Sequence, residues 1–117
     1  MNKEKLTAAG IAYDEGLDRF MGNSALYEKM LAKFAADGSF SAARARFAEG
    51  DWKSFQESIH TLKGVSGNLS LNGIFAVTSE IMRLLRAGER AEVPALMDKL
   101  EKEYAAALAA IDSLRGE

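Results

Sequence analysis

A chain of 117 residues with 48% apolar content and one proline is sized for one compact domain, and the absence of cysteine excludes a disulfide framework and any thiolate metal site. A formal net charge of -2 offers no overall basic field for nucleic acid, and a single histidine cannot build a zinc centre. No apolar run approaches a membrane span and Met1-Asn2-Lys3-Glu4-Lys5 leads into no signal-peptide core, so a soluble cytoplasmic protein is expected, with Met1 and the compact length favouring a freestanding chain.

Ala, Leu, Glu and Lys are prominent and strand-like alternation is missing, which favours helix over sheet. The lead-in, residues 1–22, is expected to hold one short helix around Asp14 to Met21. Gly22-Asn23-Ser24 then offers a turn and an N-cap, after which Tyr27, Met30, Leu31 and Phe34 recur on one face. Asp37-Gly38-Ser39 interrupts this face and Phe40, Ala43 and Phe47 resume it up to Gly50, so residues 24–49 are either two helices or one with a kink. Gly50 reads as a C-cap and Asp51 as the N-cap of the next helix.

In that helix Trp52, Phe55, Ile59, Leu62, Ser66 and Leu69 fall into one narrow stripe of three- and four-residue steps. Ile74, Val77, Ile81 and Leu84 repeat the pattern until Ala87-Gly88, and a last helix opens near Pro94 with Met97, Leu100, Tyr104, Ala107, Ile111 and Leu114. Because apolar stripes are stable chiefly through packing and short connections imply antiparallel neighbours, the expected fold is all-α: an antiparallel four-helix bundle over 23–115 preceded by a short N-terminal helix. The predicted core is Phe34, Phe47, Trp52, Phe55, Ile59, Leu62, Leu69, Ile74, Val77, Ile81, Leu84, Leu100, Tyr104 and Ile111.

The sole histidine, His60, lies roughly 130° from the stripe of its helix, with Gly64 and Gly67 one and two turns further along the same side. The imidazole is thus expected to face solvent over a surface without side chains. Two glycines inside a helix cost about 1 kcal/mol each relative to alanine; either the helix ends near Gly64, Gly67 or Asn68, or a partner's backbone approaches His60 closely. Lys63, three residues on, favours the second explanation, since it brings an ammonium beside whatever His60 carries. A phosphoryl group would be such a cargo.

The run His60-Thr61-Leu62-Lys63-Gly64, followed by Ser66, Gly67 and Leu69, resembles the signature of histidine-containing phosphotransfer (HPt) domains of bacterial two-component phosphorelays. Upstream, Gly16-Leu17 with Arg19 and Phe20, then Leu26-Tyr27 and Leu31 with Phe34, is similar to the lead-in of those domains, and Gly50-Asp51-Trp52 resembles the turn before their histidine helix. The likeness covers nearly the whole chain, 1–117, as a single domain. Ser70 departs from it, standing where the family often has glycine.

The resemblance implies a phosphorelay intermediate, in which His60 accepts a phosphoryl group from the aspartyl phosphate of one receiver domain and passes it to the aspartate of another. Lys63 would screen the roughly -2 charge, Gly64 and Gly67 would leave clearance for the partner's loop, and Gln56 would make a rim contact. The chain would carry no cofactor of its own; magnesium and most catalytic groups would sit on receivers of hybrid histidine kinases and response regulators, with a monomer expected because every apolar stripe has a partner. An autonomous histidine kinase would need a nucleotide pocket, and the sequence has neither a Gly-x-x-x-x-Gly-Lys-Ser/Thr loop nor room for a second domain. A helical adaptor that binds a receiver or another protein without carrying phosphate remains the rival. Arg83, Arg86 and Arg90 are read as a solvated helix end, and Trp52 and Phe55 as core.

Overall fold

Helix boundaries fall where local chemistry places them. The computed structural model describes residues 3–115, so Met1, Asn2 and the last two residues of the expected domain lie outside the described residues. Seven helices occupy them: α1 (Lys3–Ala8), α2 (Tyr13–Arg19), α3 (Ser24–Phe34), α4 (Ser39–Glu49), α5 (Trp52–Asn68), α6 (Asn72–Arg86) and α7 (Val93–Arg115). No strand occurs among the described residues, and none of their helices is long and apolar enough to cross a membrane.

The Asn23 side chain accepts from the Leu26 amide at 3.0 Å to open α3. Asp37 accepts from the Ser39 amide at 2.8 Å, a turn that separates α3 from α4 and decides for two helices over one kinked helix. Gly50, at φ +74°, closes α4, with the Asp51 amide returning to the Arg46 carbonyl at 3.0 Å.

Packing then joins the helices in a sequence of neighbours: α4 lies on α5, α5 on α6 and α6 on α7, while α3 also meets α7. Phe55, Ile59 and Leu62 of α5, Ile74 and Ile81 of α6, and Leu100 and Ile111 of α7 are buried at its centre. Phe47, Trp52 and Tyr104, expected inside, are only partly buried. They form rims of ring contacts instead: Phe47 and Trp52 pack on Phe55 at 5.3 and 5.8 Å, and Tyr104 stacks on Phe40 at 4.1 Å.

The lead-in holds two helices, not the single one expected, and its role in the core is larger than a cap. Leu6, Ile11 and Tyr13 are almost wholly buried, with α1 packed on α7 and α2 on α3. Tyr27, fully buried, ties these parts together; its ring lies 5.3 Å from Tyr13 and 5.2 Å from Phe20, and its hydroxyl donates to the Leu69 carbonyl at 2.7 Å. Gly16 makes room for that ring, since a Cβ there would stand 2.1 Å from Tyr27 Cζ and Oη. Gly16→Ala should therefore destabilise the fold by about 1–3 kcal/mol, read as a lower urea midpoint; an unchanged midpoint would show that Tyr27 can move aside freely.

Burial pushes the Tyr27 phenol up to about 12, with smaller contributions from Tyr13 and Glu15. An acid whose folded value is raised stabilises the protonated fold; that stability is complete below the unfolded value near 10 and is lost as pH rises through the folded value. The urea midpoint is expected to fall between about pH 10 and pH 12 by the equivalent of about 2–3 kcal/mol, and Tyr27→Phe should flatten the slope in that window. An equally steep slope in Tyr27→Phe would assign the loss to other groups.

Candidate functional site

Helix α5 sets the site because its two faces are chemically opposite. Its N-terminus is capped by Asp51, whose carboxylate accepts from the Ser54 amide at 3.2 Å; that bond is the main reason the Asp51 carboxyl is held below its ordinary range. Phe55, Ile59, Leu62 and Ser66 are buried on the inner face. One residue after Ile59, His60 is rotated outward by about 100° and is exposed.

Beside it, Lys63 is half-buried, and its ammonium lies 6.0 Å from the centre of the Phe75 ring of α6. Gly64 is exposed, and nothing stands within 4 Å of where its Cβ would be. Gly67 differs. A Cβ there would meet Phe75 at 3.0 Å, so the space it vacates is filled by a ring of this chain, and close packing of α6 on α5, neither a helix end nor a partner's approach, accounts for this glycine. Neither glycine ends the helix, which continues to Asn68.

The surroundings of His60 are also less bare than the wheel suggests. The imidazole stands between two open depressions. One, of about 330 Å³, is shared with Arg19, Lys63, Gly64, Gly67 and Phe75; the other, of about 520 Å³, with Lys53, Gln56, Glu57, Thr61, Met82 and Arg86. Gln56, expected at the rim, does border the second. Four cations and one carboxylate, Glu57, thus border the two depressions, although the whole chain carries a net charge of -2.

Three of those cations escaped the sequence reading. Lys53 was legible, because it precedes His60 by two turns on the same helix face. Arg86 was grouped with Arg83 and Arg90 as a solvated helix end, and the structure divides that cluster: Arg83 pairs with Glu80, Arg90 lies 4.6 Å over the Trp52 ring, and Arg86 lines the depression that His60 borders. Arg19 comes from α2, 41 positions upstream, and no local pattern reports such a neighbour.

Arg19 reaches the site through Ser70. The serine is fully buried at φ +56°, a left-handed conformation that glycine adopts without strain and that costs other residues about 1–2 kcal/mol. Its hydroxyl donates to Glu15 Oε1 at 3.1 Å and accepts from Arg19 Nε at 3.1 Å, while its carbonyl accepts from the Ala12 amide at 3.0 Å. The Ser70 hydroxyl, followed by Asn72 and Arg19, holds the Glu15 carboxyl below its usual range. The departure noted in the sequence is therefore the knot that ties the lead-in to the end of α5.

An exposed imidazole, flanked by cations and by open space over Gly64, suits exchange of an anionic group with another protein. The Hpt domain family model matches residues 26–110, a span that contains His60, Lys63 and Gly64. The chain belongs to the Hpt domain family. Hpt domains are phosphocarrier modules of two-component systems and work with receiver domains. No curated protein and no solved structure matches this Hpt chain. The matched span begins after α2, so Gly16 and Arg19 lie outside it.

Proposed function

We propose that residues 1–117 form one Hpt domain, a lead-in of 1–22 followed over 23–115 by α3 and an antiparallel four-helix bundle of α4 to α7, which takes a phosphoryl group onto His60 from a receiver's aspartyl phosphate and hands it to the aspartate of a second receiver. The single observation that carries this reading is the exposure of His60 beside Lys63 and open Gly64 on the helix that the family match covers. In the forward step the lone pair of the unprotonated ring nitrogen forms the N–P bond while the P–O bond to the partner's carboxyl breaks. The carboxylate leaves with that electron pair, and the other ring nitrogen keeps its proton. The return step reverses these changes on the second receiver.

Each neighbour has a role that follows from its position. Lys63 screens the phosphoryl charge, which is about -2; an exposed pair of this kind contributes only about 0–1 kcal/mol, far short of the barrier to phosphoryl transfer. The partner must therefore bring the rest, including a magnesium ion on the receiver. Gly64 leaves clearance for the partner's loop, Gln56 makes a rim contact, and Gly67 serves indirectly by seating Phe75. The domain acts as a carrier in the cytoplasm, as a monomer, with catalysis divided between it and the receivers of hybrid kinases and response regulators.

Incubation with a phosphorylated receiver and magnesium tests this directly. The chain should acquire an acid-labile, base-stable phosphate that maps to His60 and is discharged by a second receiver. A protein that binds the receiver tightly yet takes up no phosphate would instead be an adaptor.

A further inference from the structure

We propose that Arg19 is a second cation for the phosphoryl group on His60, delivered by the lead-in and aimed by Ser70; the inference rests on the phosphoryl-carrier reading above. Arg19 and His60 border the same depression, on whose wall Lys63 also stands. A phosphohistidine there would carry a charge of about -2, which Lys63 alone can only half balance. A guanidinium matches that need better than a second ammonium, since its fork presents N–H groups in the plane that phosphate oxygens accept.

The guanidinium is held before any phosphate arrives. Its Nε–H is committed to Ser70 Oγ at 3.1 Å, and that oxygen can accept because its own proton goes to Glu15. Ser70 is wholly buried, so this anchor is fixed by the core. Arg19 Nη2 lies 3.6 Å from Glu15 Oε1, an ion pair longer than a hydrogen bond, and Glu15 is shared with Ser70 and with Asn72 at 3.5 Å. The terminal N–H groups are therefore only partly satisfied by Glu15, while the stem is pinned. An arginine whose stem is pinned loses less entropy on meeting an anion than a free surface side chain does.

The test uses the full chain phosphorylated with phosphoramidate, or by a receiver, and followed by ³¹P NMR as pH is varied. In Arg19→Ala the phosphoryl group on His60 should bind its last proton about two- to fivefold more tightly than in the parent. Arg19→Lys should restore part of the difference, and Ser70→Ala, which keeps the charge but releases the aim, should fall between. Arg44→Ala, which breaks a remote pair with Glu101, should leave the titration unchanged, and 1 M salt should shrink the Arg19 effect. Lys63 and Arg19 are the charged groups lining this depression, with Glu15 behind Arg19, while Lys53, Glu57 and Arg86 line the depression on the other side of His60, so Lys63→Ala serves as the positive comparison.

Two outcomes overturn the assignment while leaving phosphoryl carriage intact. One is a His60-phosphorylated Arg19→Ala protein that titrates like the parent but melts lower, which makes Arg19 structural. The other is an unchanged titration with a raised KM for the receiver, which places its contact on the partner. Failure of both phosphoramidate and receivers to label His60 would overturn the carrier reading as well.

Discussion

His60→Gln is expected to abolish phosphoryl uptake from a phosphorylated receiver, a loss of at least about 1000-fold, because the substitution removes the attacking nitrogen itself. The fold should not notice. His60 is exposed and lies off the buried stripe of α5, and surface replacements of this kind usually change stability by no more than about 0.5 kcal/mol. Helicity and the urea midpoint should therefore match the parent while labelling falls to the detection limit. The pairing of those two readouts matters, since lost labelling in an unfolded protein proves nothing about a nucleophile. Labelling that persists at the parent rate would move the phosphoacceptor elsewhere and remove the central claim.

Gly64→Leu should separate function from stability in the opposite way to an ordinary core mutation. Nothing lies within 4 Å of a Cβ at Gly64, and the residue is exposed, so the folded chain is expected to accommodate the side chain. Leucine is also the better helix former by up to about 1 kcal/mol, and the midpoint should stay level or rise. Transfer should nevertheless slow by about 100-fold, because a branched side chain one turn from the nucleophile keeps the receiver's phosphoryl out of line, and displacements of about 1 Å suffice for such losses. The comparison is Gly67→Leu, where the new Cβ would meet Phe75 at 3.0 Å. That variant should lose stability, since the ring must move. Equal transfer by Gly64→Leu and the parent would show that no partner closes over this surface.

These two glycines illustrate how far a single helix can be read without its neighbours. Both lie on the His60 side of the wheel and both cost helix propensity, so they looked like one feature with one purpose. Their environments differ only because Phe75 of α6 crosses over Gly67 and not over Gly64. Arg83, Arg86 and Arg90 make the same point: near in sequence, they end against Glu80, in the depression beside His60, and over Trp52.

What sequence determined by itself was everything governed by short spacings. The caps at Asn23, Gly50 and Asp51, the break at Asp37-Gly38-Ser39, the buried stripe of α5 and the outward position of His60 all follow from contacts within a few residues or from the 3.6-residue period. Tertiary structure alone decided the rest. Ser70 adopts φ +56° although it is not glycine, because Glu15 and Arg19 from 55 and 51 positions upstream bond its hydroxyl. The same folding buries Leu6, Ile11 and Tyr13 of the lead-in and brings Arg19 to the face of His60. Such juxtapositions depend on how helices cross, a choice made by the summed packing of the whole core, and no window along the chain contains that sum.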